Sequence, residues 1–413
     1  MTWSTACMNA FPAERIAGLY VHVPFCDGKC DYCAFYSAPY DAGLVEGYLR
    51  AVAEELDEHR RDFGTISPRT VYIGGGTPTI LAAAQLSRLC DVLCARIDTR
   101  RLVEWTVEAN PGTVSGEKLR GLRAAGVNRI SIGAQSFSAP VLRRLGRRHT
   151  AAEIGEAVEA ARSSGFPNIG VDLIAGVPGL QASEWHATLE AAISLKPEHL
   201  SIYALTVEEG SMLAARIESG GGPPYASPAR ETGRCAGVAA SERPLDRAPE
   251  AEPQLDALEA AEKRLGAAGY ARYEISNYAR PGYECRHNLD CWRGEAYLGL
   301  GPAASSHVPG RRWTTAADVA AYTRGARLRE EEEIPPLTKA TELLVFGLRM
   351  AEGVDLQELC RAAGLVEGTQ ETAWRGRLSA LEKEGLVCRR GARWALTAEG
   401  RNLADHVAVE LMP

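Results

Sequence analysis

The sequence holds no apolar stretch near the ~20 residues that a membrane helix needs, so no membrane span is expected. Residues 1–15 contain neither a continuous apolar core nor a small-residue cleavage site, and export is not expected either. No internal repeat is visible. Positive charge is in deficit: 46 Lys and Arg against 53 Asp and Glu leave a net charge of −7, with a pI near 5.8. That balance argues against a general nucleic-acid binder. The 11 cysteines are odd in number and mostly scattered, which is no disulfide framework and suits a reducing cytoplasm. A second CxxC is missing, and with it the fourth ligand that a structural zinc site usually takes.

What is present is a chain of 413 residues, enough for two or three domains. From residue 18 to about 275, short β-rich runs alternate with amphipathic helical patterns. Strands are expected over 19–23, 70–73, 103–108, 129–132, 170–174 and 199–204, and a further one over 271–275. Helices are expected over 45–61, 83–96, 117–125, 152–163 and 184–194. Such alternation implies βαβ units, a parallel sheet and an α/β fold, with too few units for a closed eight-stranded barrel. Ligands of such sheets collect at the carboxyl ends of the strands. Residues 214–254 are rich in Gly, Pro, Ser and Arg and read as a flexible insertion. The expected division is a core over 1–275, a connecting segment over 276–335 and a C-terminal domain over 336–413. In the last, helices over 339–349, 356–362 and 370–384 precede a two-stranded wing with a Gly turn over 386–396. This winged-helix-like pattern carries three wing arginines that could touch phosphate. Glu382 and Glu384 flank the third helix, so nucleic acid is not the expected partner.

The densest chemistry lies at Cys26, Cys30 and Cys33, three thiols within eight residues just after the first strand. Four thiolates fill a [4Fe-4S] cluster; three leave one iron open to a small molecule. At the end of the second strand stands Gly74-Gly75-Gly76-Thr77-Pro78, where missing side chains let a ligand approach the backbone. Alone, such a turn is a weak sign. Glu108 ends the third strand and Gln135 the fourth, Arg147 follows, and Asp172 lies in the next strand. Each taken singly is equally a helix cap or surface group. Tyr20 and His22 alternate on the first strand and point the same way; a buried structural histidine fits His22 as well. The other cysteines, Cys90, Cys94, Cys235, Cys360 and Cys388, read as core or incidental residues.

CxxxCxxC followed by these motifs resembles the radical S-adenosylmethionine (SAM) proteins. The resemblance implies a partial (β/α)6 barrel, a cluster on Cys26, Cys30 and Cys33, and SAM on its open iron, cleaved by one electron to a 5′-deoxyadenosyl radical. It further implies SAM contacts from Tyr20, Gly75, Gly76, Thr77, Glu108, Gln135, Arg147 (with Arg148 as the fallback) and Asp172. The run 20–26, Asp172-Leu173-Ile174-Ala175-Gly176-Val177-Pro178 and the C-terminal domain resemble the coproporphyrinogen III oxidase-like branch. That likeness spans nearly everything from residue 18 onward except 214–254.

Oxidases of that branch read CxxxCxxCxC and carry a longer N-terminal extension. Here Phe35 occupies the fourth cysteine position and 25 residues precede Cys26. Both features point to the branch's radical-SAM heme chaperones, which bind heme and pass it to heme-protein acceptors. His287-Asn288-Leu289-Asp290-Cys291-Trp292 resembles their HNxxYW pattern and makes His287 the expected axial ligand, unless it merely hydrogen-bonds within its loop. Cys291 replaces the usual Tyr, and Ser305 replaces a histidine, with His307 two positions on; ligation by His307 or Cys291 is the alternative. An oxygen-independent oxidase that decarboxylates propionates, and a DNA-binding redox sensor, are the competing functions.

Overall fold

Strand β1 (Ile16–Val23) carries the alternation from which the architecture follows. Leu19, Val21 and Val23 are fully buried in the main apolar cluster, while Tyr20 and His22 turn to the opposite face. The computed structural model describes residues 16–219, 245–365 and 368–412. Two-residue strands β2 (Phe25–Cys26) and β3 (Ala38–Pro39) pair with each other apart from the main sheet. Then come β4 (Thr70–Gly75), β5 (Glu104–Ala109), β6 (Arg129–Gln135), β7 (Asn168–Ala175) and β8 (His199–Ala204). Each is parallel to its neighbour, in the order β1-β4-β5-β6-β7-β8. Helices α1 (Ala42–Phe63), α2 (Ala83–Cys94), α3 (Gly116–Ala125), α4 (Ala139–Arg144), α5 (Ala151–Ser163) and α6 (Ala182–Ser194) form the crossovers. This is the expected α/β fold with six parallel strands.

Two expectations need correction. Residues 214–254 are helical at both margins, in α7 (Met212–Glu218) and α8 (Ala251–Ala267). Pro253, which reads as a breaker, sits in the first turn of α8, where a missing N–H costs nothing; residues 220–244 lie outside the described residues. Residues 276–335 are likewise no mere connector. Beyond β8 the sheet continues through β10 (Asn277–Ala279) to β9 (Ala271–Arg272), both antiparallel. After α9 (Arg286–Trp292), β11 (Ala296–Leu300) lies parallel to β1 on the opposite side. There β12 (Ser305–Val308), β13 (Arg311–Thr315) and β14 (Arg329–Glu333) extend it, with α10 (Val319–Thr323) between the last two. The sheet therefore has twelve strands.

The C-terminal domain follows its sequence pattern closely: α11 (Pro336–Arg349), α12 (Leu356–Ala362), α13 (Thr369–Lys383), the hairpin β15 (Val387–Arg390) and β16 (Arg393–Leu396), then α14 (Ala398–Asn402) and α15 (Ala404–Leu411). Leu344, Trp374, Leu378, Trp394 and Leu411 form its separate core. It meets the barrel through the Ala351 N–H donating to the Tyr273 carbonyl at 2.9 Å and an isolated bridge between Glu274 and Met350. All three wing arginines have partners inside the molecule. Arg389 lies over the Trp394 ring, Arg390 donates to the Ala351 carbonyl, and Arg393 pairs with Glu358. Among the described residues no helix is long and apolar enough to cross a membrane.

Trp374 is fully buried, and its indole N–H donates to the Leu411 carbonyl at 3.1 Å. Trp374→Ala is expected to destabilise this domain by about 3–5 kcal/mol, seen as an earlier guanidinium transition by circular dichroism.

Candidate functional site

The cysteine loop is tied at its neck. The β2–β3 ladder sets Phe25 beside Ala38 and Cys26 beside Pro39, reinforced by the Ala38 and Tyr40 amides donating to Pro24 and Cys26 carbonyls. Inside the loop, Asp31 is a three-way anchor that sequence reasoning missed. Its carboxylate pairs with Arg216 of α7 at 2.7 Å, with both side chains almost wholly buried. Its N–H donates to the Leu145 carbonyl after α4, and its carbonyl accepts from the Leu213 N–H. The one sign of this in the sequence is a carboxylate between two of the cysteines.

Arg147 donates to Cys30 Sγ at 3.3 Å and to the Gly133 carbonyl at 2.7 Å, which places a guanidinium against the thiols. Arg148 instead holds the loop backbone at the Asp27 carbonyl. Cys26 Sγ lies 3.5 Å from the Thr77 hydroxyl, so the first cysteine touches the glycine turn. Burial and the neighbouring cysteines push the Cys26 and Cys33 thiols up. Among the described residues no three His, Cys, Asp or Glu side chains stand gathered as a finished metal site. Three soft thiol donors on one anchored loop, faced by a cation, nevertheless have the chemistry that an iron–sulfur cluster takes.

The glycine turn is stitched onto this loop. Gly76 N–H donates to the Val23 carbonyl and Thr77 N–H to the Phe25 carbonyl, each at 2.8 Å. Gly75 has φ +101°, and a Cβ there would lie 2.5 Å from the His22 ring. His22 donates through Nε2 to the Tyr36 carbonyl at 2.9 Å, which leaves Nδ1 to accept from the Tyr20 hydroxyl at 3.0 Å. Burial lowers its pKa, so His22 is a neutral positioning residue.

Glu108 accepts from the Tyr72 hydroxyl at 2.7 Å and from Gly75 N–H at 3.1 Å. Burial, with repulsion from Asp172 opposing those bonds, raises its pKa to about 7. Asp172 accepts from the Ser131 hydroxyl at 3.2 Å, and burial raises it too. Tyr72 and Ser131 escaped the sequence analysis, although each lies two residues before a strand-end glycine on the same face. Gln135 adopts φ +66° at a break in the β6–β7 register. The sequence-predicted Tyr20, Gly75, Gly76, Thr77, Glu108, Gln135, Arg147 and Asp172 thus share one end of the barrel with the cysteines. Phe35, by contrast, is 68% exposed.

His287 lies away from the cysteine loop. Its ring is buried at the opposite end of β4, bonded through Nδ1 to the Thr70 hydroxyl at 2.9 Å and stacked on Tyr72. Burial and Arg129 lower its pKa to about 4. A cavity of about 150 Å³ lies among its sequence neighbours Asn288, Cys291 and Trp292, and is also lined by Tyr203, Asn277 and Arg349. His307 faces the Lys339 amine at 3.0 Å, and Ser305 bonds the Thr314 hydroxyl.

Residues 20–192 match the Radical SAM superfamily, and residues 334–403 match the HemN C-terminal domain. The heme chaperone HemW of Haemophilus influenzae is 32% identical over 393 residues, covering 93% of this chain and 94% of that protein. The chain belongs to the heme chaperone HemW family. The HemW of Mycobacterium tuberculosis strain H37Rv is 33% identical over 403 residues, 96% of this chain and 94% of that one. The solved structure of coproporphyrinogen III oxidase (HemN) from Escherichia coli superposes with a TM-score of 0.80 at 23% identity. That match covers 99% of this chain and 93% of that one, a likeness of fold. Within this HemW-family chain, Arg216→Met would strand the Asp31 carboxylate in an apolar setting. A loss of about 3–5 kcal/mol in unfolding free energy is expected.

Proposed function

We propose that this chain is a heme chaperone that holds a [4Fe-4S] cluster and SAM and delivers heme to acceptor heme proteins in the cytoplasm. The observation that carries this reading is end-to-end similarity, at about one-third identity, to proteins named heme chaperones. Phe35 in place of a fourth loop cysteine supports it over the oxidase alternative, whose likeness here is one of fold. The internally engaged wing arginines weigh against the DNA-binding sensor.

In this reading Cys26, Cys30 and Cys33 hold the cluster, which when bound supplies one electron at its open iron. Glu108 and the Gly75–Thr77 turn bind the SAM ammonium. Arg147 attracts its carboxylate, while Asp172 accepts from the ribose hydroxyls with Gln135 beside them. Tyr20 closes the site on the β1 side. His287 belongs to the barrel floor, and its partners there support a structural role.

The pH behaviour of Glu108 has two opposite signs. Its folded pKa is raised, so its contribution to folding is greatest below the ordinary value of 4.5 and declines as pH rises toward about 7. Ammonium binding needs the carboxylate and strengthens through the same range. SAM affinity of the cluster-loaded protein, measured by equilibrium dialysis, is expected to rise as pH passes about 7; Glu108→Gln is expected to abolish that rise. An unchanged pH profile in the variant would remove Glu108 from the site.

Heme binding is tested by anaerobic titration of the cluster-loaded protein, followed through the Soret band. Saturable binding is expected, and His287→Ala is expected to keep it while losing roughly 1–3 kcal/mol of stability through the lost hydrogen bond to the Thr70 hydroxyl. Absence of binding, with anaerobic conversion of coproporphyrinogen III, would favour the oxidase.

A further inference from the structure

Arg129 is the largest charged side chain sealed inside the barrel, at 2% exposure. It stands on β6 two residues before Ser131 and opposite Thr106 of β5, itself two residues before Glu108. Same-face residues on a strand are about 7 Å apart. The guanidinium therefore starts one step below the row that carries Glu108, Ser131 and, on β7, Gly170, and two steps below Asp172, which pairs with Gly133. Its Nε and Nη1 are buried without a hydrogen-bond partner. Glu104, one step below it on β5, accepts from the Arg286 and His287 amides at 3.0 Å and is one of the opposite charges near the guanidinium.

Gly170 shows where the guanidinium reaches. A Cβ on that residue would lie 3.2 Å from Arg129 Nη2 and 3.1 Å from Ser131 Oγ, the hydroxyl that donates to Asp172. A buried, unpaired cation is costly unless opposite charge lies within the same low-dielectric space. Here Glu104 and Cys285 face the guanidinium from below, and its field reaches Glu108 and Asp172 at the mouth.

We propose that Arg129 is an internal counter-charge, a positioning residue that keeps Glu108 and Asp172 as carboxylates for SAM, an inference that rests on the SAM-binding reading above. Other groups also face the two acids. Tyr72, Tyr20 and Tyr203 lie against Glu108, and Ser201, Tyr203 and Arg147 lie against Asp172. Among these, Arg147 is bound to Cys30 and the Gly133 carbonyl and acts on Asp172, whereas Arg129 acts on both acids. Arg129 simultaneously disfavours protonation of His199 and His287 in the floor. One cation thus biases acids above it and imidazoles beside it toward the forms the barrel uses.

The test compares Arg129→Met with the charge-keeping Arg129→Lys in cluster-loaded full-length protein. SAM affinity is measured by equilibrium dialysis from about pH 6 to pH 8. With Met, the midpoint of the affinity–pH curve should move up by about one unit, so that affinity below the midpoint falls about tenfold. Lys should restore most of it. A folded Arg129→Met protein with the wild-type curve would overturn the inference.

A stability cycle covers the case in which Arg129→Met folds poorly. Removing the carboxylate charge with Glu108→Gln should lessen the stability lost through Arg129→Met, so the double variant melts higher than additivity predicts. Strictly additive shifts in melting temperature would overturn the inference. If the wild-type protein fails to bind SAM at any pH, the SAM reading falls, and the stability cycle alone decides whether Arg129 neutralises Glu108.

Discussion

The parallel pairing of β1 with β4 is the constraint on which the rest of the site depends. It sets Tyr20 beside Tyr72 and Val23 beside Gly75. Side chains alternate along a strand, so a one-residue slip of β1 would turn Tyr20 and His22 outward into the helix layer. Leu19 and Val21 would then enter the barrel. The correct register also brings the glycine turn under the cysteine loop, where the Gly76 and Thr77 amides reach β1 and β2 carbonyls. Strand pairing and cysteine-loop geometry are therefore one problem solved by the same few hydrogen bonds.

Electrostatics inside the barrel follow from what alternation places there. Acids rise, histidines fall and tyrosines stay protonated because water is excluded, while Arg129 acts on Glu108, Asp172, His199, His287 and Tyr72. The apolar half of each strand builds the core, and the polar half builds a chamber whose protonation states are linked. Such a chamber cannot be altered at one position without shifting the others.

Much of this was legible in the sequence. Six strands and five helices fall close to their expected positions, because each carries its own periodicity and boundary signals. The cysteine spacing and the strand-end motifs were readable for the same reason. What escaped notice was non-local. The outer strands β10 to β14 are short, and β11 pairs with a strand roughly 280 residues earlier. Asp31 finds Arg216 across most of the barrel. The motif of His287 left ligation and hydrogen bonding both open; folding places its ring against the Thr70 hydroxyl and the Tyr72 ring. Pattern reveals which face a residue occupies and is silent on which distant partner meets it.

The tied neck of the cysteine loop has a dynamic corollary. Residues 27–37 form a closed ring whose knot consists of four amides, those of Ala38, Tyr40, Gly76 and Thr77, drawn from two separate parts of the chain. A ring so closed has little reason to fray from one end. Its opening must release the glycine turn as well, so these amides belong to one cooperative unit of local unfolding. Oxidative loss of anything held by the thiols would then be felt first as a loosened strand end, not as a floppy loop.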